Sequence, residues 1–129
     1  MRESHRVLKP GGRIRLVTPD LEYLAAEYVQ TKRDGSAPAD QAASRFLNGL
    51  GVLQDFGGTS PLTRLYRLWK SYDLHKWLYD EASLKLLLTE SGFVEAERRE
   101  YLQSAIANLP DVEHEDRLRG AVCVEACKP

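Results

Sequence analysis

Charged and apolar residues alternate through Arg13-Ile14-Arg15-Leu16, and the chain turns fully apolar at Val17. A period of two marks a strand with one face toward a core, here over 13–18, ended by Pro19. Upstream, residues 2–8 read as the end of a helix. Lys9-Pro10-Gly11-Gly12 then forces a reversal, because proline lacks a helix donor and glycine tolerates positive φ. Downstream the period lengthens. Leu21, Leu24, Ala25, Tyr28 and Val29 share one face of a helix over about residues 21–32, with Asp20 as its N-cap. Arg33 to Pro38 is a loop by composition. Ala42, Ala43, Phe46, Leu47 and Leu50 predict a second amphipathic helix over 39–50. Ser60-Pro61 opens a further helix, with Leu62, Leu65, Tyr66, Trp69 and Tyr72 as its stripe.

The strongest local signal comes next. Asp80 caps a helix whose buried face is Leu84, Leu87 and Leu88. Tyr79 before the cap and Leu84 inside the helix form a hydrophobic staple. Gly92 is placed to end it in the left-handed conformation. Phe93 to Tyr101 reads as a strand, residues 103–119 as polar and irregular with a short helical piece, and Gly120 to Cys127 as a final strand. The pattern predicts one α/β domain over 1–129, a three-stranded mixed sheet with flanking helices and a helical insertion or cap over 33–78.

Composition narrows the function classes. The chain has 129 residues, 43% of them apolar, and a formal net charge of −1. That balance offers no field for nucleic acid or an acidic membrane surface, so neither is an expected partner. No apolar run is long enough to span a bilayer, and the charged N-terminus is unlike a signal peptide, so the expected location is cytoplasmic. Cys123 and Cys127 fall on one face of one strand, too far apart to bridge, and read as reduced thiols. With no second Cys or His pair, no metal is expected. Glu113-His114-Glu115-Asp116 reads as a surface turn, and Arg98-Arg99 as a solvated face.

Taken together, Arg6-Val7-Leu8-Lys9-Pro10-Gly11-Gly12-Arg13-Ile14, Val17-Thr18-Pro19-Asp20-Leu21 and His75-Lys76-Trp77-Leu78-Tyr79-Asp80 resemble segments of class I S-adenosylmethionine-dependent methyltransferases. The resemblance is closest to a subgroup of uncharacterised predicted methyltransferases. It runs on through Leu84 to Phe93 and to the closing strand ending at Val124-Glu125-Ala126-Cys127-Lys128-Pro129. It covers only the latter, substrate-side half of the family domain. The resemblance implies a Rossmann-like fold in which the last strand lies between the other two and antiparallel to both. The family's cofactor motifs, a glycine-rich strand–loop–helix and an acid ending the second strand, have no counterpart here. No cofactor is therefore expected for this chain alone. S-adenosylmethionine enters only if the missing half is supplied.

Ligands gather beyond the carboxyl ends of parallel strands in such sheets, which points to Thr18 and Asp20. Helix capping is the simpler role for Asp20. His75, Trp77 and Tyr79 form the densest cluster of reactive and aromatic groups. His75 is suited to proton transfer near neutral pH and Trp77 to a flat binding wall, and an aromatic plug is the plainer reading of both. No catalytic residue is assigned. The strand at Arg13–Thr18 would be left with an open edge, so a homodimer through that edge is expected, or a chain that supplies the cofactor half. Two functions follow: half of a methyltransferase, inactive alone, or a non-catalytic dimerising or partner-binding module.

Overall fold

The Lys9–Gly12 turn reverses helix α1 (Arg2–Val7) into strand β1 (Arg13–Pro19) in the computed structural model, which describes residues 1–50 and 77–129. Gly11 carries the positive φ of +75°. Its N–H donates to the Lys128 carbonyl at 2.8 Å, while Gly12 N–H closes the turn on the Lys9 carbonyl. The Lys128 ammonium donates to the carbonyls of His5 and Leu8, each at 2.8 Å. A cation at the C-terminal end of α1 thus satisfies carbonyls that the helix leaves open.

The chain divides into two compact units, Met1–Tyr23 with Tyr79–Pro129, and Leu24–Leu78. The first holds a three-stranded sheet of order β1-β3-β2, with β2 at Val94–Arg98 and β3 at Ala121–Cys127. The last strand lies in the middle, as the resemblance implied. The expected mixed sheet is corrected: β3 pairs antiparallel with both neighbours. The chain returns from β2 to β3 through turns and short 3₁₀ pieces instead of a helical crossover, so β3 runs back against β2. β1 and β2 share a direction but never touch as a ladder.

One face of this sheet carries the core. Val122, Val124 and Ala126 of β3 are buried with Leu84, Leu88 and Phe93, and Ile14, Leu16, Leu8 and Tyr79 pack around them. The covering helix is α4 (Glu81–Glu90), and its ends are strongly specified. Asp80 Oδ1 accepts from Ser83 N–H at 2.8 Å, and Asp80 N–H donates to Ser83 Oγ at 3.1 Å. Serine completes a capping box that is usually closed by Glu or Gln. The Ser83 hydroxyl also donates to Asp80, which holds that carboxyl below its ordinary value. At the far end Phe93 N–H reaches the Leu88 carbonyl and Gly92 N–H the Thr89 carbonyl, with Gly92 at φ +92°. This is a Schellman closure, and its apolar partners Phe93 and Leu88 are both core residues.

β2 is shorter than the expected 93–101. Its register with β3 shifts between Val94 and Glu97, and Glu95 takes a φ of +54°. One extra residue bulges out there and bends the strand. Pairing ends with Arg99 N–H on the Cys123 carbonyl, and a tight turn follows in which Leu102 has φ +58°. Residues 103–119 are irregular, with 3₁₀ turns at Leu109–Asp111 and Glu115–Arg117.

The second unit contains most of α2 (Leu21–Asp34) and α3 (Ala39–Gly49). Tyr28 and Phe46 meet with ring centroids 5.2 Å apart. A Cβ at Gly49 would lie 2.5 Å from a Leu24 methyl, so a larger residue there would force the Leu24 side chain to shift. The helix expected after Ser60-Pro61 lies outside the described residues.

Leu88 has no exposed surface, and its carbonyl accepts the Phe93 N–H of the Schellman closure. Leu88→Ala should cost about 3 kcal/mol through lost burial and the cavity left behind. Urea unfolding will check this as a lower midpoint with an unchanged slope.

Candidate functional site

The sheet's other face is held by charge. Along β1 the side chains of Arg13 and Arg15 lie opposite Cys127 and Glu125 of β3. The side chains of Arg15, Glu113 and Glu125 are 6%, 6% and 1% exposed. Arg15 Nε donates to Glu113 Oε1 at 2.7 Å and Nη2 to Oε2 at 3.0 Å, a two-pronged pair. Its remaining donors reach the Gln103 and Glu100 carbonyls, each at 2.9 Å. Glu125 receives the Ser104 hydroxyl, the Ala105 N–H at 3.4 Å and Arg13 Nη1 at 3.4 Å. Glu113 accepts the Leu102 N–H as well. The segment over 100–113 is thus bound to the sheet by groups that would be costly to bury unpaired. Burial opposes the charge on Glu113, but Arg15 and the Leu102 N–H outweigh it and hold that carboxyl below its ordinary value.

The expected surface turn at Glu113-His114-Glu115-Asp116 is therefore corrected at its first residue, since Glu113 is buried. Arg98, in contrast, is partly exposed beside Glu81 and Glu100. Arg99 pairs with Glu97 at 2.6 Å. Cys123 is buried under the charged network and Cys127 is half-buried, and both are free thiols. Burial pushes the Cys123 thiol up to about 11, which makes it inert as a nucleophile near neutrality.

Asp20 is buried at the end of β1, and its Oδ1 accepts from Glu22 N–H at 3.0 Å and Tyr23 N–H at 3.5 Å. It caps α2. Its other oxygen lies 3.9 Å from Arg98 Nη1. Asp20 N–H reaches the Gly120 carbonyl, and Leu21 N–H reaches the Tyr79 carbonyl at 3.0 Å. An isolated parallel bridge joins Asp20 to Tyr79. Tyr79 and Thr18 in turn line a hollow of about 310 Å³, shared with Met1, Leu16, Val17, Leu84 and Leu87. Three of the expected residues, Thr18, Asp20 and Tyr79, thus meet where β1 ends. Trp77 belongs to the second unit and is 68% exposed. His75 lies outside the described residues.

The hollow is lined mainly by apolar side chains, with Thr18 and Tyr79 among them. Among the described residues its lining has no carboxylate to hold the ribose hydroxyls of an adenosyl ligand. Among the described residues no cluster of His, Cys, Asp and Glu could hold a metal ion, and no helix is long and apolar enough to cross a membrane. No family model matches the chain, nor does any curated protein or solved structure.

The buried network was missed in the sequence for a reason. Arg15 and Glu125 look like the outward half of an alternating strand, and nothing local says that a later segment covers them. The only signal is that both β1 arginines and Glu125 share one strand face.

Replacing one partner leaves a buried charge uncompensated. Arg15→Met should therefore cost on the order of 3 kcal/mol, and the double variant Arg15→Met/Glu113→Gln less than the sum of the two single changes. The folded value of Glu113 lies below its ordinary 4.5, so the pair's contribution is complete above that pH and is lost as pH falls through the lower folded value. Urea midpoints measured from neutral pH to pH 3 should fall more steeply for the wild type than for Glu113→Gln.

Proposed function

We propose that this chain is the substrate-side half of a class I methyltransferase-like fold and transfers no methyl group alone. The observation that carries the reading is the sheet order, with the last strand inserted between the earlier two and antiparallel to both. That is the order the sequence resemblance implies. A glycine turn leading from a helix into β1 supports it in the same way.

The Gly11-Gly12 pair reverses a helix into a strand, the opposite order to a strand–loop–helix cradle, and its N–H groups are engaged with Lys9 and Lys128. The residues present do not fit an adenosyl ligand. The chain's own contribution is to the acceptor. Thr18 and Tyr79 would orient an acceptor group at the hollow, while Asp20 holds the start of α2 in place. With one oxygen committed to the cap, Asp20 is a positioning residue.

A second reading is a non-catalytic dimerising or partner-binding module. It is favoured by the edge of β1, beside which no strand lies among the described residues.

Calorimetric titration with S-adenosylmethionine separates these readings. The chain alone should release no binding heat. A fusion that adds a cofactor-binding half before Met1 should bind with one site per chain. Tight binding by the chain alone, or none by the fusion, would reject the methyltransferase reading.

A further inference from the structure

Among the described residues β1 has one edge with no strand beside it, and that edge has a defined length and a defined content. Lys128 N–H donates to the Gly12 carbonyl and Asp20 N–H to the Gly120 carbonyl. With the observed register, these bonds assign the even-numbered residues of β1 to the ladder with β3. The N–H and C=O groups of Arg13, Arg15 and Val17 therefore point away from β3. The edge stops at Pro19, which has no N–H to offer, and at Tyr79, which bridges Asp20 just beyond. At the other end Gly11 bonds to Lys128, so the chain bends toward β3 and away from the free edge. The hollow lies along this edge, and two of its lining residues, Val17 and Met1, are 41% and 39% exposed.

We propose that the occupant of this edge is a second copy of the same chain, paired β1 to β1 antiparallel about a twofold axis through Arg15. In this register Arg13 faces the partner's Val17, and Arg15 faces its mate. Every outward N–H in the stretch finds a carbonyl, about six hydrogen bonds for the pair. On the core face Ile14 and Leu16, both half-buried, lie beside the partner's Leu16 and Ile14, so the apolar layer continues across the axis at the hollow. On the opposite face the facing arginines are already neutralised. Arg15 is paired with Glu113 and lies 3.6 Å from Glu125, and Arg13 reaches Glu125 and Glu95. Each copy's turn at Gly11 bends away where its partner's Tyr79 would otherwise collide. An unshielded edge with apolar neighbours is a standing site for strand addition, and the fit in length, apolar content and compensated charge selects this chain's own strand. The inference is independent of the methyltransferase reading. A cofactor half would compete for the same edge and split the pair.

Val17→Pro tests it. The Val17 N–H takes no part in the β1–β3 ladder, and proline is tolerated on an edge strand at such a position. The wild type should sediment as a dimer at micromolar concentration, and Val17→Pro as a monomer with its thermal transition retained. A second measurement holds if that variant fails to fold. Arg13→Cys and Val17→Cys chains are mixed under mild oxidation, each also carrying Cys123→Ser and Cys127→Ser because those thiols lie opposite the two positions within one chain. They should form a disulfide-linked pair at those two positions, because directly opposed residues lie about 5.5 Å apart between Cα atoms. A monomeric wild type, or a dimer without that cross-link, would overturn the proposal and leave the edge to a strand from a different chain.

Discussion

The guanidinium of Arg15 is the contact on which the arrangement of the sheet depends. β3 sits between two neighbours and is buried on both faces, from Val122 to Ala126. α4 and its leucines cover one face. The other is covered by the irregular segment over 100–113, whose carbonyls would be costly to bury unpaired. Arg15 takes the Glu100 and Gln103 carbonyls and the Glu113 carboxylate at once. A planar, permanently charged fork is suited to that task, whereas a lysine would meet only part of it. Charge and hydrogen bonding do on this face what packing does on the other. Cys123 is shielded as a result.

The same economy shapes the ends of the elements. Lys128 closes α1, Asp20 closes the start of α2, and Asp80 with Ser83 closes the start of α4. Each cap satisfies backbone groups that its helix end leaves open. Around Asp20, Thr18 and Tyr79 meet at one hollow at the end of β1. The geometry suits the holding of an acceptor or a neighbour more than bond-making, because the Asp20 carboxylate at this strand end is committed to a helix cap.

Local patterns were legible residue by residue. The β1 alternation, the Asp80 cap with its Tyr79–Leu84 staple, and the Gly92 stop all describe contacts within a few positions, where spacing alone decides which groups can meet. The strand after Gly92 is shorter than the expected 93–101 because the chain turns at Leu102, whose positive φ leaves no mark in the sequence. Ser83 as the partner of Asp80 leaves no distinctive mark in the sequence, because serine is the uncommon member of that pair.

Amino-acid order by itself determined the helix ends, the reversal at Gly11-Gly12 and the apolar face that forms the core, since each follows from backbone freedom or side-chain period. Only the tertiary structure decided that Arg15 and Glu113, 98 positions apart, would be buried together. A charge on a strand looks the same in sequence whether water or a distant loop covers it, and burial is a property of what arrives later, not of the strand.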